Sequence, residues 1–382
     1  MFPDGFYRKR MNAKMSYKSI LHITNMRSQK FGGLERYFVE LANACRQKGY
    51  RSIFQYDLRP WSSNYLQAMN RSGGKIILAN TMSSKGKSLL AVIILLLSCR
   101  PTIVVSHFLS NRALFVVAAL SRMIGVKKVI TLFHSVPPTI KKPLARFGIN
   151  LHHHILAVSD AVAERLSHSG IDQRRISTHY LGLFGSRDQS EQVRIQLRKH
   201  FGIEDPHPVL ACIAWDNPIK GIDILLDAIK TAFEKHQKLH VLIIGIDPNK
   251  SKWPGYADRR GLSRYIHWAG IQDDGWWFLN AADIYVQPSR SEGLCLSILE
   301  AMAMKLPVIS TPVGGVPEVV IHGKTGYLAE QATPEHLAKA IINLASQPHL
   351  WKTLGEAGHK RYLLRFKGED SISKMAATYF AI

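Results

Sequence analysis

Two glutamates, Glu292 and Glu300, stand with seven residues between them in the segment SRSEGLCLSILEAMAMKLPVISTPVGGVPE (289–318). The surroundings are apolar, and a buried carboxylate left without a partner costs about 3–5 kcal/mol. Such acids either cap helix ends or hold a polar molecule that comes and goes. A carboxylate accepts hydrogen bonds from paired hydroxyls, so ribose and sugar rings are suitable ligands. The loop PSRSEG precedes a helix expected to begin near Leu294. N–H groups at a helix start are unsatisfied and carry partial positive charge, which suits phosphate oxygens. The spacing can put one carboxylate on each side of a bound diphosphate. Gly314-Gly315 in TPVGGVPE offers a second turn where backbone can approach a phosphate closely. The competing reading is local. Ser297–Glu300 and Ser289–Glu292 both match a capping box, in which the acid serves its own helix.

Chemistry of this kind needs elements that bring distant residues together. Short apolar strands are expected at 19–25, 52–58, 75–80, 102–107, 128–134 and 154–159, and again at 208–215, 240–245, 282–287 and 307–311. Helical stretches fill the gaps, as at 34–48 and 112–124. Continuous apolar strands joined by helices indicate parallel sheets covered on both faces. Two such series imply an α/β chain of two doubly wound Rossmann-like domains facing across a cleft. Ligands of open parallel sheets sit beyond the carboxyl ends of the strands. The residues found there are His107, His134, Gly32-Gly33, Lys220-Gly221 and Glu292. The polar stretch GSRDQSEQ (185–192) reads as the linker. The expected division is a basic tail at 1–17, an N-terminal domain at 18–186, a C-terminal domain at 187–360 and a last helix at 361–382 crossing back to the first domain.

The net charge of the 382 residues is +22. Residues 1–190 hold 28 Lys/Arg against 8 Asp/Glu, while 191–382 hold 22 against 20. A cationic first half favours a polyanionic partner such as an acidic membrane surface. No helix-turn-helix, aromatic RNA-binding or zinc-finger pattern supports nucleic acid. The four cysteines lie far apart without a C-x-x-C pair, which argues against disulfides and for a reducing cytoplasm. The longest apolar run, 89–97, has nine residues, against the about 20 needed to span a bilayer. The N-terminus lacks the apolar centre of a secretion signal. The expected location is therefore cytoplasmic, with peripheral attachment to the inner membrane face as a further expectation.

The segment from Pro288 to Leu328 resembles the donor-binding signature of glycosyltransferase family 4, the retaining nucleotide-sugar-dependent enzymes of GT-B fold. Other segments agree in order: FGGLERYFVELA (31–42), TLFHS (131–135), ILAVSD (155–160), IKGIDILLDAI (219–229) and IHWAGIQDD (266–274). The resemblance covers roughly residues 18–365. It implies that Glu292 contacts hydroxyls of the donor sugar and Glu300 the ribose. The backbone of Gly293, Leu294, Cys295 and Leu296 would cradle the diphosphate, and Lys220 would neutralise it as it leaves. Gly32 and Gly33 would approach the same phosphates, and His134 would sit near the transferred sugar. The implied catalytic set is His134, Lys220 and Glu292.

Two positions depart from the family pattern. Trp215 stands five residues before Lys220, where an arginine is usual, and Lys305 stands where glycine is common. A lost charge-assisted hydrogen bond is worth about 1.5–3 kcal/mol. Arg290, or a cation from the basic half, is the expected substitute; the alternative is a weakly active or non-catalytic nucleotide-sugar-binding homologue. No D-x-D triplet or ligand-spaced His/Cys/Asp cluster occurs, so a metal-independent reaction without cofactor is expected. Lys141, Lys142 and Arg146 interleave with Ile140, Leu144 and Phe147, as in a helix lying on an anionic surface. The expected function is retaining hexosyl transfer to a glycan or lipid-linked acceptor in envelope, lipopolysaccharide or other polysaccharide synthesis.

Overall fold

The computed structural model describes residues 18–81, 87–185, 189–235 and 238–380. The basic tail 1–17 and residues 186–188 of the expected linker lie outside them.

The first sheet contains β1 (Lys18–Thr24), β2 (Tyr50–Tyr56), β3 (Lys75–Leu78), β4 (Ile103–His107), β5 (Lys128–Phe133), β6 (His154–Ala157) and β7 (Ile176–Thr178). Its order is β3-β2-β1-β4-β5-β6-β7, and every pairing is parallel. The second contains β8 (Val209–Ile213), β9 (His240–Ile244), β10 (Ile266–Gly270), β11 (Ile284–Gln287), β12 (Val308–Ser310) and β13 (Gly326–Leu328), in the order β10-β9-β8-β11-β12-β13. Strands such as β4 and β8 are buried along their whole length, because helices cover both faces. The two sheets are those of a GT-B fold, two Rossmann-like halves facing each other. The edge strands β7 and β13 have three residues each, too few to show a period of their own, and the apolar runs do not reveal them.

In each sheet the strand order reverses between two central strands. That pair is β1/β4 in the first and β8/β11 in the second. Loops leaving such a pair diverge to opposite faces and open a crevice for ligands. His107 ends β4, Lys220 follows β8 and Glu292 follows β11, so the sequence delivers its polar residues to these two crevices.

The chain returns to the first half near its end. Helix Pro348–Arg365 stops at Phe366, and Leu183 N–H donates to the Phe366 carbonyl at 3.1 Å. Gly368 N–H donates to the Leu183 carbonyl at 2.8 Å. Helix Gly368–Phe380 then lies against helix Gly33–Gln47. Its Ser371 hydroxyl donates to Tyr180 O (2.8 Å) and to Tyr37 Oη (3.3 Å), and its Met375 and Tyr379 are buried. The break between the two last helices thus falls at 366–367 rather than at 361.

Candidate active site

Lys220 and Glu292 are 72 residues apart, yet the β8/β11 crevice brings Nζ to within 2.7 Å of Oε1. The Glu292 side chain is 8% exposed and that of Lys220 16%. The Ser289 hydroxyl (2.6 Å) and the Gln287 amide (3.3 Å) donate to the same Oε1. Oε2 accepts no hydrogen bond among the described residues. Burial alone would lower the Lys220 pKa; the Glu292 charge, with the Cys295 and Cys212 thiols, outweighs it and the pKa is raised. The lysine is therefore a fixed cation.

Neither capping box forms. Helix Leu296–Ala303 begins after Cys295, whose left-handed φ of 72° turns the chain and whose side chain makes no cap. Ser297 is inside the helix and its hydroxyl donates to Gln287 Oε1 at 3.1 Å. Glu292 is held by side chains, not by neighbouring peptide groups. The N–H groups of Gly293, Leu294, Cys295 and Leu296 donate to no protein acceptor among the described residues. They form an open row of donors beside a lysine, suited to an anion.

The first half completes the site. A Cβ on Gly33 would lie 3.3 Å from Glu300 Oε1 and 3.5 Å from Leu296 Cδ1, so this glycine brings the start of helix Gly33–Gln47 against the second half. Gly32 N–H donates to Glu35 Oε2 at 3.1 Å. Lys30 stands beside Gly32 and makes no ion pair among the described residues. Gly293 packs on the His134 carbonyl, which a Cβ would approach to 2.1 Å. His134, Gly33, Glu292, Glu300, Lys220 and the 293–296 backbone thus converge from the two halves.

Two expectations are corrected. Arg290 does not reach this group: its guanidinium holds both carboxylate oxygens of Asp223 (2.8 and 2.6 Å) and donates to Pro218 O at 2.8 Å. The turn at Gly314-Gly315 is no second phosphate loop. A Cβ there would meet the carbonyl oxygens of Glu292 at 1.8 Å and Gly293 at 2.1 Å, so the turn buttresses the donor loop from behind. After β10, Asp273 accepts from Phe31 N–H (2.8 Å), the Ser62 hydroxyl and the Asn64 amide (both 2.9 Å), and Asp274 pairs with Arg36, tying this loop to the first half.

Sequence reasoning missed Glu318. Its carboxylate accepts the N–H groups of Asp160 and Ala161, both at 2.8 Å, and the Tyr180 hydroxyl at 2.8 Å. An acid of the second half so caps helix Asp160–His168 of the first, where the helix dipole favours negative charge. No local signal could have found it: Glu318 sits in the short helix Val316–Val319, while its partners Asp160 and Ala161 lie 158 and 157 residues earlier in the chain.

His134 also proves to be the last of three imidazoles joined by hydrogen bonds. His107 Nδ1 lies 3.0 Å from His134 Nε2, and His22 Nδ1 lies 3.1 Å from His107 Nε2. Burial lowers all three pKa values, that of His107 to about 3. The unfolded chain takes up protons near pH 6.5 where these rings do not. Stability from this source is full above about pH 6.5 and falls as pH drops below it, by roughly 1.4 kcal/mol per pH unit per ring. Urea denaturation between pH 4.5 and 7.5 checks this. His107→Asn should reduce the slope, and an unchanged slope would mean that His107 charges in the folded protein.

A fold of two facing halves with anion donors, a fixed cation and two acids at the crevice defines a GT-B glycosyltransferase. Residues 31–183 match the model of Glycosyltransferase Family 4, and residues 193–361 match that of Glycosyl transferases group 1. The chain belongs to the family 4 glycosyltransferases. It is 28% identical over 269 residues to the N-acetyl-alpha-D-glucosaminyl L-malate synthase of Bacillus anthracis, covering 68% of this chain and 70% of that one. It is 36% identical over 164 residues to an uncharacterized glycosyltransferase of Methanocaldococcus jannaschii, covering 42% of this chain and only 45% of that one. Among solved structures it resembles Anabaena Alr3699/HepE in complex with UDP and glucose, with TM-score 0.79, 19% identity, and coverage of 96% and 100%. A Rickettsia africae glycosyltransferase gives TM-score 0.78 at 20% identity, with coverage of 95% and 97%.

Proposed function

We propose that the protein transfers a hexose-type sugar from a nucleotide diphosphate sugar to an acceptor hydroxyl with retention at the anomeric carbon, without a metal. The observation that carries this is the Lys220–Glu292 pair beside the unpaired N–H groups of 293–296. In this reading those N–H groups and Lys220 take the diphosphate, stabilising charge where it develops as the glycosidic bond breaks. Glu292 Oε2 takes sugar hydroxyls and Glu300 the ribose. Glu292 is already bonded through Oε1 to a lysine, a serine and a glutamine, which suits an orienting acid rather than an attacking one. The departing phosphate then helps to accept the acceptor's proton on the same face. With Trp215 half exposed and Arg290 held by Asp223, we assign the second cation to Lys30.

A cavity of about 670 Å³ lined by Val136, Thr139, Arg165, His168, Arg290 and Gly314 opens between the halves. We place the acceptor on a lipid or lipid-linked glycan at an anionic inner membrane face. Leu144 and Phe147 are 65% and 57% exposed beside Lys141 and Lys142, and among the described residues no helix is long and apolar enough to cross a membrane.

A thermal-shift panel of nucleotide sugars, followed by transfer and hydrolysis assays, tests the proposal. One donor should raise the melting temperature by mass action and be turned over equally with EDTA or Mg2+. Activity abolished by EDTA and restored by Mg2+ would remove the metal-free reading. Tight donor binding with neither transfer nor hydrolysis would favour the competing reading, a non-catalytic homologue, for which Trp215 speaks.

A further inference from the structure

The three imidazoles come from three strands. His22 lies within β1, His107 ends β4 and His134 follows β5, so the order β1-β4-β5 sets them in file from the sheet interior to the cleft. Aromatic rings enclose the file. Phe54 stacks on His22 with centroids 4.2 Å apart, Phe38 meets His107 edge-on at 5.1 Å, and Phe108 stacks on His134 at 4.2 Å. His22 and His107 are buried.

Each contact between neutral imidazoles needs one N–H and one lone pair. With links His22 Nδ1–His107 Nε2 and His107 Nδ1–His134 Nε2, only two proton patterns satisfy both. Either all three rings carry hydrogen on Nδ1, or all three carry it on Nε2. The patterns differ at the ends of the file. His22 Nε2 is buried and has no partner among the described residues. The Nε2–H pattern strands a donor there, and orphaned buried N–H groups are rare in folded proteins. The Nδ1–H pattern leaves only a lone pair. The Tyr379 ring lies 6.2 Å from that of His22, and its hydroxyl is likewise buried without a partner.

At the other end, His134 Nδ1 makes no hydrogen bond among the described residues. We propose that His22 and His107 are positioning residues that fix His134 as the Nδ1–H tautomer, a neutral hydrogen-bond donor toward the bound sugar or its phosphate rather than a proton acceptor. The inference rests on the proposed function only for the identity of the molecule that receives this hydrogen bond. A neutral imidazole donating to a developing negative charge is an established catalytic device. It leaves the acceptor's proton to another group. The file is also a poor proton conduit. In this pattern His134 Nδ1 has no lone pair to take a proton, and one given up there would have to be replaced at His22 Nε2, which has no partner among the described residues.

The test is a long-range 1H–15N correlation spectrum of the full chain labelled on histidine nitrogen at pH 7.5, with His134 assigned from His134→Gln. The expected result is the Nδ1–H pattern for His134; an Nε2–H pattern overturns the proposal. Two variants of His107 extend the test. The amide nitrogen of His107→Asn can donate to His134 Nε2 in place of Nδ1–H, and should keep both the tautomer and most of the turnover. His107→Leu removes that donor; His134 should then show mixed tautomers, and kcat should fall about tenfold with little change in donor KM. An unchanged His134 pattern in a folded His107→Leu protein overturns the positioning role. If His107→Leu does not fold, the wild-type spectrum decides alone. A spectrum with the expected pattern in a protein that turns over no donor upholds this inference while refuting the proposed function.

Discussion

Lys220→Ala should lower turnover by roughly 10²–10³-fold, the usual loss when one preorganised group facing developing charge is removed. It should also destabilise the protein. The substitution leaves Glu292, 8% exposed, without its cation, and breaking a buried pair by removing one member costs about 3–5 kcal/mol. The hydroxyl of Ser289 and the amide of Gln287 would offset part of that. The two effects can be separated. In Lys220→Ala with Glu292→Gln no charge remains buried, so denaturation should show most of the stability restored while turnover stays well below that of Glu292→Gln alone. If turnover returns together with stability, Lys220 serves the fold and not the reaction.

Gly293→Ala should lower kcat/KM by about a hundredfold or more through geometry alone, since displacing reacting groups by about 1 Å costs that much. The new Cβ would stand 2.1 Å from the His134 carbonyl oxygen and 2.8 Å from Val158 Cγ2, both in the opposite half. No contact closer than these is made within its own half, so the second sheet should keep its fold. The cleft has to open instead, moving His134 and Gly33 away from Glu292 and Glu300. Small-angle X-ray scattering should report a larger radius of gyration than for the parent protein. A variant with parental scattering and parental activity would show that the close approach of Gly293 is not used in turnover.

Residues whose role follows from strand topology were the legible ones. Lys220 and Glu292 each stand just beyond an apolar strand, and the rule that parallel sheets bind at their carboxyl ends is enough to bring them to one crevice. What the sequence could not disclose is where side chains point once there. Arg290 sits two residues before Glu292, yet its guanidinium turns to Asp223 and the Pro218 carbonyl. Gly314-Gly315 looks identical on paper whether it faces a phosphate or the carbonyls of 292 and 293. The histidine file was hidden for a different reason. His22, His107 and His134 are separated by 85 and 27 residues and meet only because β4 inserts between β1 and β5. Contacts between the halves, such as Glu318 on the helix Asp160–His168, likewise need the placement of two bodies that no local pattern encodes.

The return of helix Gly368–Phe380 to the first half bears on how the chain matures during translation. Synthesis proceeds from the N-terminus and domains tend to fold as they emerge, but here an outer layer of the first unit is supplied by residues made only after the second. Until they leave the ribosome, the side of helix Gly33–Gln47 that receives Tyr37's partner Ser371 stays uncovered. The nascent first half must wait, partly bare, for the second to be finished.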